Sequence, residues 1–362
     1  MFFYEYIRNK PFNNQAAIFV INFLIKFSRF FIYGKKKDAK NIVIVALHRL
    51  GDSVFTIPAI KQIIRYHKEN IFLVCYSETV AIYKIVIDAL SFVELTHDHF
   101  FTNDQIAKSE ARKILRRLNP SIVYDMTGNV TSASLIFNIA AGEIIGINEP
   151  YYRSIYTKYK QLRLEPHITD NYLDGIRSVI PFTDMEEVPI QNNKFREYIL
   201  IHPFASKRSK EWGLNRFIEL AAILNKKYKC VLVSPPNLIS EDVKVEMQIK
   251  NIDLLETKST IELINAIGKC LFLIGNDSGA VHIANLLGKP TFCIYGPTNP
   301  EYHKPLSGIN EYVMKQLMCS SKPNEKICFT FGGVFCPSNE CMQNLSFEIV
   351  KEKVSNFLDR LI

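Results

Sequence analysis

Three short polar segments hold the residues of this chain best placed to do chemistry. The first is His48-Arg-Leu-Gly-Asp-Ser53, in which one carboxylate, Asp52, follows a glycine and precedes a helical pattern. The second, His202-Pro-Phe-Ala-Ser-Lys-Arg-Ser-Lys-Glu-Trp212, gathers Lys207, Arg208 and Lys210 among Ala205, Ser206 and Ser209. The third, Asn276-Asp-Ser-Gly279, leads into Ala280-Val-His-Ile-Ala-Asn-Leu-Leu-Gly288. Each follows an apolar run and opens a helix. The backbone N–H groups of a helix start then point at whatever lies beyond the strand, a ready site for phosphate or another anion. Three cations and the hydroxyls of Ser206 and Ser209 add to that character in the second segment.

Each residue also has an ordinary structural use. Asp52 can cap a helix, which stabilises by about 1 kcal/mol, or accept a proton as a general base; the two are compatible. Asp277 would repel a diphosphate, so it suits sugar hydroxyls or capping. Ser278 and the N–H of Gly279 can face phosphate oxygens, with Gly279 allowing close approach. His282 falls in the first turn of the helix, where a lone histidine is ordinarily structural. Trp212, the only tryptophan, suits core packing against the helix that follows it.

The elements that must position these loops alternate along the chain. Strand-like runs at Ile42–Leu47, Ile71–Cys75, Phe92–Leu95, Ile122–Tyr124 and Ile144–Ile147 are separated by helical patterns near Ser53–His67, Thr79–Leu90, Asp104–Leu118 and Val130–Ala141. A second series runs through Tyr198–His202, Cys230–Ser234, Ile252–Leu255, Leu271–Ile274 and Thr291–Tyr295. Its helices lie near Asn215–Lys226, Glu241–Ile249, Thr260–Ile267 and Ala280–Leu287. Such alternation predicts parallel sheets covered by helices on both faces. The pattern fades through Asp184–Lys194, which carries Pro189 and Asn192-Asn193. The expected organisation is an N-terminal segment 1–40, an α/β domain 41–190, a second α/β domain 191–345 and a C-terminal helix 346–362. Two such domains predict a cleft between them.

At 362 residues the chain exceeds what one core usually organises. Its 48% hydrophobic and 22% charged residues belong to a folded globular protein. The net charge of +8 favours anionic partners such as nucleotide diphosphates, acidic lipids or phosphorylated glycans. No nucleic-acid-binding signature accompanies that charge, so nucleic acid is not an expected partner.

Residues 1–40 differ from the rest. Ala16–Ile25 is almost wholly apolar; Lys26 and Arg29 then interrupt Phe27, Phe30 and Phe31, and Lys35-Lys-Lys37 follows. The uninterrupted stretch is too short to span a bilayer core of about 30 Å. The mixture over residues 15–37 predicts a helix lying on an anionic membrane surface, or one packed on the N-terminal domain. Of eight cysteines, Cys75, Cys230, Cys270 and Cys293 lie in or beside apolar runs and read as buried hydrophobes. Cys319, Cys328, Cys336 and Cys341 crowd the C-terminal region at irregular spacing with no Cys-x-x-Cys pair. They admit a metal site, disulfides or a local structural role.

Taken together and in this order, the loops resemble those of the heptosyltransferases, glycosyltransferase family 9. The resemblance rests on Arg49-Leu-Gly-Asp-Ser-Val-Phe-Thr-Ile-Pro58, on His202-Pro203 with Ser209-Lys-Glu-Trp212, and on Gly275-Asn-Asp-Ser-Gly-Ala-Val-His282. Tyr295-Gly-Pro-Thr-Asn-Pro300 and Cys341-Met-Gln-Asn-Leu345 extend it, so that it covers roughly 41–358. It implies a GT-B fold, two Rossmann-like domains facing a central cleft. The implied activity is inverting transfer without a metal or other cofactor: a heptose moves from ADP-heptose, a co-substrate, to the lipid-linked inner core of lipopolysaccharide or lipooligosaccharide. By motif, Asp52 matches the general base. Ser206, Lys210, Asn276, Asp277, Ser278, Gly279 and His282 match the donor side, and Arg49, Asp125 and Asn129 the acceptor side. The implied place is the cytoplasm, peripheral on the inner membrane of a bacterium. Pro235-Pro236 departs from the family's glycine-rich turn. The alternatives are a same-fold transferase with another nucleotide sugar or acceptor, and a non-catalytic nucleotide- or glycan-binding module.

Overall fold

The computed structural model describes residues 11–32, 39–87, 90–96, 105–181, 197–306, 308–323, 325, 327, 328, 336 and 338–361. Lys35–Lys37 and the expected boundary at 184–194 lie outside them. The chain divides into two compact units, residues 1–49, 55–163 and 169–185, and residues 50–54, 164–168 and 186–362.

The first unit holds six strands: β1 (Asn41–Ala46), β2 (Ile71–Tyr76), β3 (Ser91–Leu95), β4 (Pro120–Asp125), β5 (Glu143–Asn148) and β6 (Lys158–Gln161). All pairings are parallel, in the order β3-β2-β1-β4-β5-β6. The second unit repeats this with β7 (Tyr198–His202), β8 (Cys230–Ser234), β9 (Asp253–Glu256), β10 (Cys270–Asn276), β11 (Thr291–Tyr295) and β12 (Asn310–Met314). Its order, β12-β11-β10-β7-β8-β9, is the same topology read from the opposite edge. Both are the doubly wound Rossmann arrangement, whose ligands bind beyond the carboxyl ends of the strands where the order reverses. Those reversal points lie between β1 and β4 and between β7 and β10.

The central strands β1, β8, β10 and β11 are almost wholly buried, as near-continuous apolar runs require when helices cover both faces. The edge strands β6 (Lys-Tyr-Lys-Gln) and β12 (Asn-Glu-Tyr-Val-Met) were not expected from sequence, being polar and half-exposed. Edge strands tolerate such residues because one side meets solvent. The Leu50–Tyr66 helix begins three residues before the periodic pattern suggests, with Arg49 as its N-cap. It continues through Pro58, because Phe55, Ile57, Ala59, Ile60 and Ile63 bury one face.

In the first unit, the N-terminal helix Pro11–Ile32 docks through one face. Asn22 accepts the N–H of Ser154 at 2.7 Å and donates to Pro150 O at 2.8 Å, fastening the helix to the 3-10 turn Pro150–Ile155. Arg29 donates to Phe137 O at 2.9 Å, and Ile25 packs against the core. The outer face carries Phe19, Phe23, Phe27, Phe30 and Phe31, with Val20 and Leu24 between them, all more than half exposed. At 3.6 residues per turn these seven span an arc of roughly 140°. Among the described residues no helix is long and apolar enough to cross a membrane.

Candidate functional site

In the first unit, the loops after β1 and β4 are sewn together at the reversal point. Leu47 N donates to Thr127 Oγ1 at 2.8 Å, Met126 N to Val45 O at 2.8 Å, and a ring nitrogen of His48 pairs with Met126 O at 2.6 Å. Asp125, at the end of β4, has no exposed surface. Its Oδ1 accepts Thr127 N (2.9 Å) and Gly128 N (3.2 Å); its Oδ2 accepts Ser132 Oγ (2.8 Å) and the Tyr156 hydroxyl (2.6 Å). Burial pushes its carboxyl above the ordinary range, and these four neutral donors oppose that without reversing it. Asn129 caps the Val130–Ile136 helix by accepting Thr131 N and Ser132 N. Asp125 and Asn129, two of the three residues expected on the acceptor side, therefore shape the loop itself. Arg49 is exposed, and Asp52 is half-buried. Asp52 occupies the first helical turn rather than the cap, since the helix begins at Leu50. A carboxylate there is stabilised by the helix's positive end.

In the second unit, β10 leads through Asp277 and Ser278 into the Gly279–Leu286 helix. Asn276 is fully buried. It accepts Trp212 N at 3.1 Å and donates to Pro203 O at 2.6 Å, binding the loops after β7 and β10 to one another. Gly275 pairs with His202 in the sheet, and a Cβ at Gly275 would lie 2.9 Å from His202 O. Only glycine fits that approach. The lysine loop is held from below: Trp212 is 3% exposed, donates Nε1–H to Leu345 O at 2.9 Å, stacks on Phe347 and meets Phe217 edge-on. This is the packing expected of the lone tryptophan.

Two polar pairs occupy the mouth of this arrangement. Lys210 Nζ lies 2.6 Å from Asp277 Oδ2, and His282 Nε2 lies 3.8 Å from Asp277 Oδ1. Asp277 is 5% exposed; burial alone would raise its carboxyl, yet the Lys210 ammonium and then His282 hold it far below the ordinary range. Ser278, the helix N-cap, makes no side-chain capping bond; its hydroxyl instead lies 3.3 Å from Nδ1 of His202. Burial pushes the His202 imidazole down to about 4, so it is neutral near pH 7. His202 was assigned no role from sequence; its place just before the lysine loop was the available signal. Ser206, Lys207 and Arg208 are exposed on the same loop. Residues 50–54, grouped with this unit, also reach the helix start. A Cβ on Gly51 would lie 3.0 Å from the His282 ring and 3.4 Å from Gly279 Cα.

The second site thus joins Lys210, Asn276, Asp277, Ser278, Gly279 and His282 in one cluster, with Ser206 on the adjoining loop. A cation beside a helix start can stabilise a departing anion, and the buried carboxylate can accept hydroxyl hydrogens. The C-terminal cysteines are all free. Burial and then the neighbouring thiols of Cys328, Cys336 and Cys319 push Cys341 up to about 11. Among the described residues no group of three or more His, Cys, Asp or Glu is arranged to hold a metal ion.

Comparison with known proteins adds three findings. The family model "Glycosyltransferase family 9 (heptosyltransferase)" matches residues 110–329. Lipooligosaccharide heptosyltransferase 2 of Haemophilus ducreyi is 31% identical over 108 residues, 27% of this chain and 31% of that protein, so the match spans less than a third of the relative's length. Among solved structures, a family 9 glycosyl transferase from Veillonella parvula superposes with a TM-score of 0.67 at 18% identity, covering 91% of this chain and 99% of that one. Escherichia coli heptosyltransferase WaaC with ADP does so at 0.65 and 16% identity, covering 88% and 99%. These likenesses share the fold.

Proposed function

Starting from a chain that belongs to glycosyltransferase family 9, we propose that it moves a heptose from ADP-heptose to the inner core of a lipopolysaccharide or lipooligosaccharide acceptor, with inversion and without a metal. What carries the reading is the Lys210–Asp277–Ser278 cluster at the reversal point of the second sheet. Lys210 and the N–H groups at the Gly279 helix start receive the charge of the departing diphosphate. Asp277, ionised and desolvated, accepts hydroxyl hydrogens of the donor sugar. WaaC, of the same fold, has been solved with ADP, which supports a nucleotide diphosphate as the donor's leaving group.

Asp52 takes the proton from the acceptor hydroxyl as it attacks the anomeric carbon; the glycosidic bond forms as the bond to the diphosphate breaks. Arg49 faces the anionic acceptor. Replacing Asp52 with Asn should cut turnover by about 100-fold or more, the scale of general-base catalysis, while leaving stabilisation by ADP-heptose intact in a thermal-shift assay. Turnover near the wild-type rate would remove Asp52 from this role. A second reading is favoured by Pro235-Pro236, which stiffens the turn after β8 where Ser234 Oγ donates to Pro235 O at 2.7 Å. It is a same-fold transferase with another nucleotide sugar. Thermal stabilisation by a UDP- or GDP-sugar in place of ADP-heptose would select it.

The exposed phenylalanine face of the Pro11–Ile32 helix supports a peripheral position on the cytoplasmic face of the inner membrane, where a lipid-linked acceptor is presented. Aromatic side chains on one face of a helix insert at the headgroup boundary, and neighbouring cations favour anionic lipid.

A further inference from the structure

Beside the N-terminal helix lies a cavity of about 300 Å³ lined by Lys26, Arg29, Phe30, Ser154, Ile155 and Tyr156. We propose that this cavity is a headgroup site for one anionic phospholipid, taken up when the phenylalanine face meets a bilayer. The proposal deepens the surface reading above by giving that surface a discrete lipid site.

Three features converge on this ligand. The helix face sets the height of the cavity relative to a membrane. On the helical wheel Lys26 sits at the margin of the phenylalanine arc, about 20° from Phe19, so its ammonium lies level with the headgroup layer once the rings are inserted. Lys26 is exposed, whereas Arg29, one turn further on, is 4% exposed with its guanidinium fixed by Phe137 O. One exposed and one fixed cation then line the same space, a combination suited to a phosphodiester.

The remaining wall is rigid. Ser154 belongs to the turn that Asn22 clamps at both ends, and the Tyr156 hydroxyl is committed to Asp125 at 2.6 Å. Ser154 adds a hydroxyl, while Phe30 and Ile155 add an apolar side for the glycerol and first acyl carbons. The lining contains no carboxylate. Its size is at the lower end of ligand pockets, which suits a glycerophosphate headgroup.

The test uses dihexanoyl-phosphatidylglycerol below its micelle concentration, titrated into the full-length chain by calorimetry. Saturable one-to-one binding is expected. Lys26→Gln should weaken it roughly fivefold, the effect of one cation near anionic lipid, and Lys26→Gln with Ser154→Asp should weaken it further. The single variant, at an exposed position, serves if Ser154→Asp fails to fold. Equal binding by wild type and Lys26→Gln would overturn the site, as would saturation by inorganic phosphate or dihexanoyl-phosphatidylcholine with the same affinity. Phe23→Ser with Phe27→Ser separates the two levels. It should release the protein from phosphatidylglycerol vesicles while leaving monomeric lipid binding unchanged. Vesicle release without any binding of monomeric lipid keeps the membrane reading and rejects the cavity. Monomeric binding by a wild type that ignores vesicles does the reverse.

Discussion

The two units share one strand order and place a carboxylate loop at the same point of it, yet they treat that carboxylate in opposite ways. Asp125, at the end of β4, is enclosed by two backbone N–H groups and two hydroxyls, all neutral. Asp277, just past the end of β10, is also buried but faces the Lys210 ammonium. Burial therefore wins at Asp125, whose carboxyl is raised, and loses at Asp277, whose carboxyl is lowered. Topology alone does not decide whether a loop at the reversal point is scaffold or site. A buried ion pair open to a ligand can exchange partners, whereas a carboxylate saturated by its own loop cannot.

The largest expected break in this comparison comes from Asp125→Ala. It strands two backbone donors and two hydroxyls in a dry loop and should cost on the order of 3 kcal/mol of stability. Chemical denaturation followed by circular dichroism measures it. Trp212, buried in the second unit, supplies a fluorescence transition that should stay near its wild-type midpoint. A matching shift in both signals would mean that the loop of Asp125 supports more than its own unit.

Lys210→Met should come next, at about 2 kcal/mol, because the ammonium is partly solvated and Asp277 keeps His282 nearby. Its signature is in pH. A carboxyl lowered on folding contributes stability above its unfolded value, about 3.9, and that contribution fades as pH falls toward the folded value. Wild type should thus lose stability on acidification below about pH 4, while Lys210→Met, having lost the pair already, should be flatter there. Asp125 has the opposite sign: a carboxyl raised on folding favours stability at low pH, and that contribution is lost as pH rises through the folded value. Acid profiles of the two variants that run parallel would erase the contrast.

The smallest effect sharpens the site rather than the fold. Ser278→Ala removes one hydroxyl held at 3.3 Å from His202 and should cost about 1 kcal/mol or less of stability. If Ser278 meets the donor's phosphate, the affinity for ADP should fall by a larger factor than that loss of stability. An unchanged ADP affinity by calorimetry would assign Ser278 to the loop alone.

Much of the architecture was legible because burial on both faces leaves continuous apolar runs: β7, β8 and β11 coincide with the stretches read from sequence. The edge strands β6 and β12 were not, since Lys158-Tyr-Lys-Gln161 and Asn310-Glu-Tyr-Val-Met314 carry the polar side chains that an unpaired side permits. The motif loops named Lys210, Asp277 and Ser278. They gave no hint that Lys210 and Asp277 form an ion pair, or that Ser278 turns to His202 instead of capping its helix.

Sequence by itself determined the local order of strands and helices, the positions of the polar loops after them and the amphipathic character of the N-terminal helix. Those properties depend on neighbours within a turn or two, where periodicity and capping operate. Tertiary structure decided which strands lie side by side, and hence which loops meet at β1/β4 and β7/β10. It also decided which face of the first helix Asn22 fastens down, leaving the phenylalanines outward. Pairing between distant segments is settled by the packing and electrostatics of the whole core, and no local window of residues contains that information.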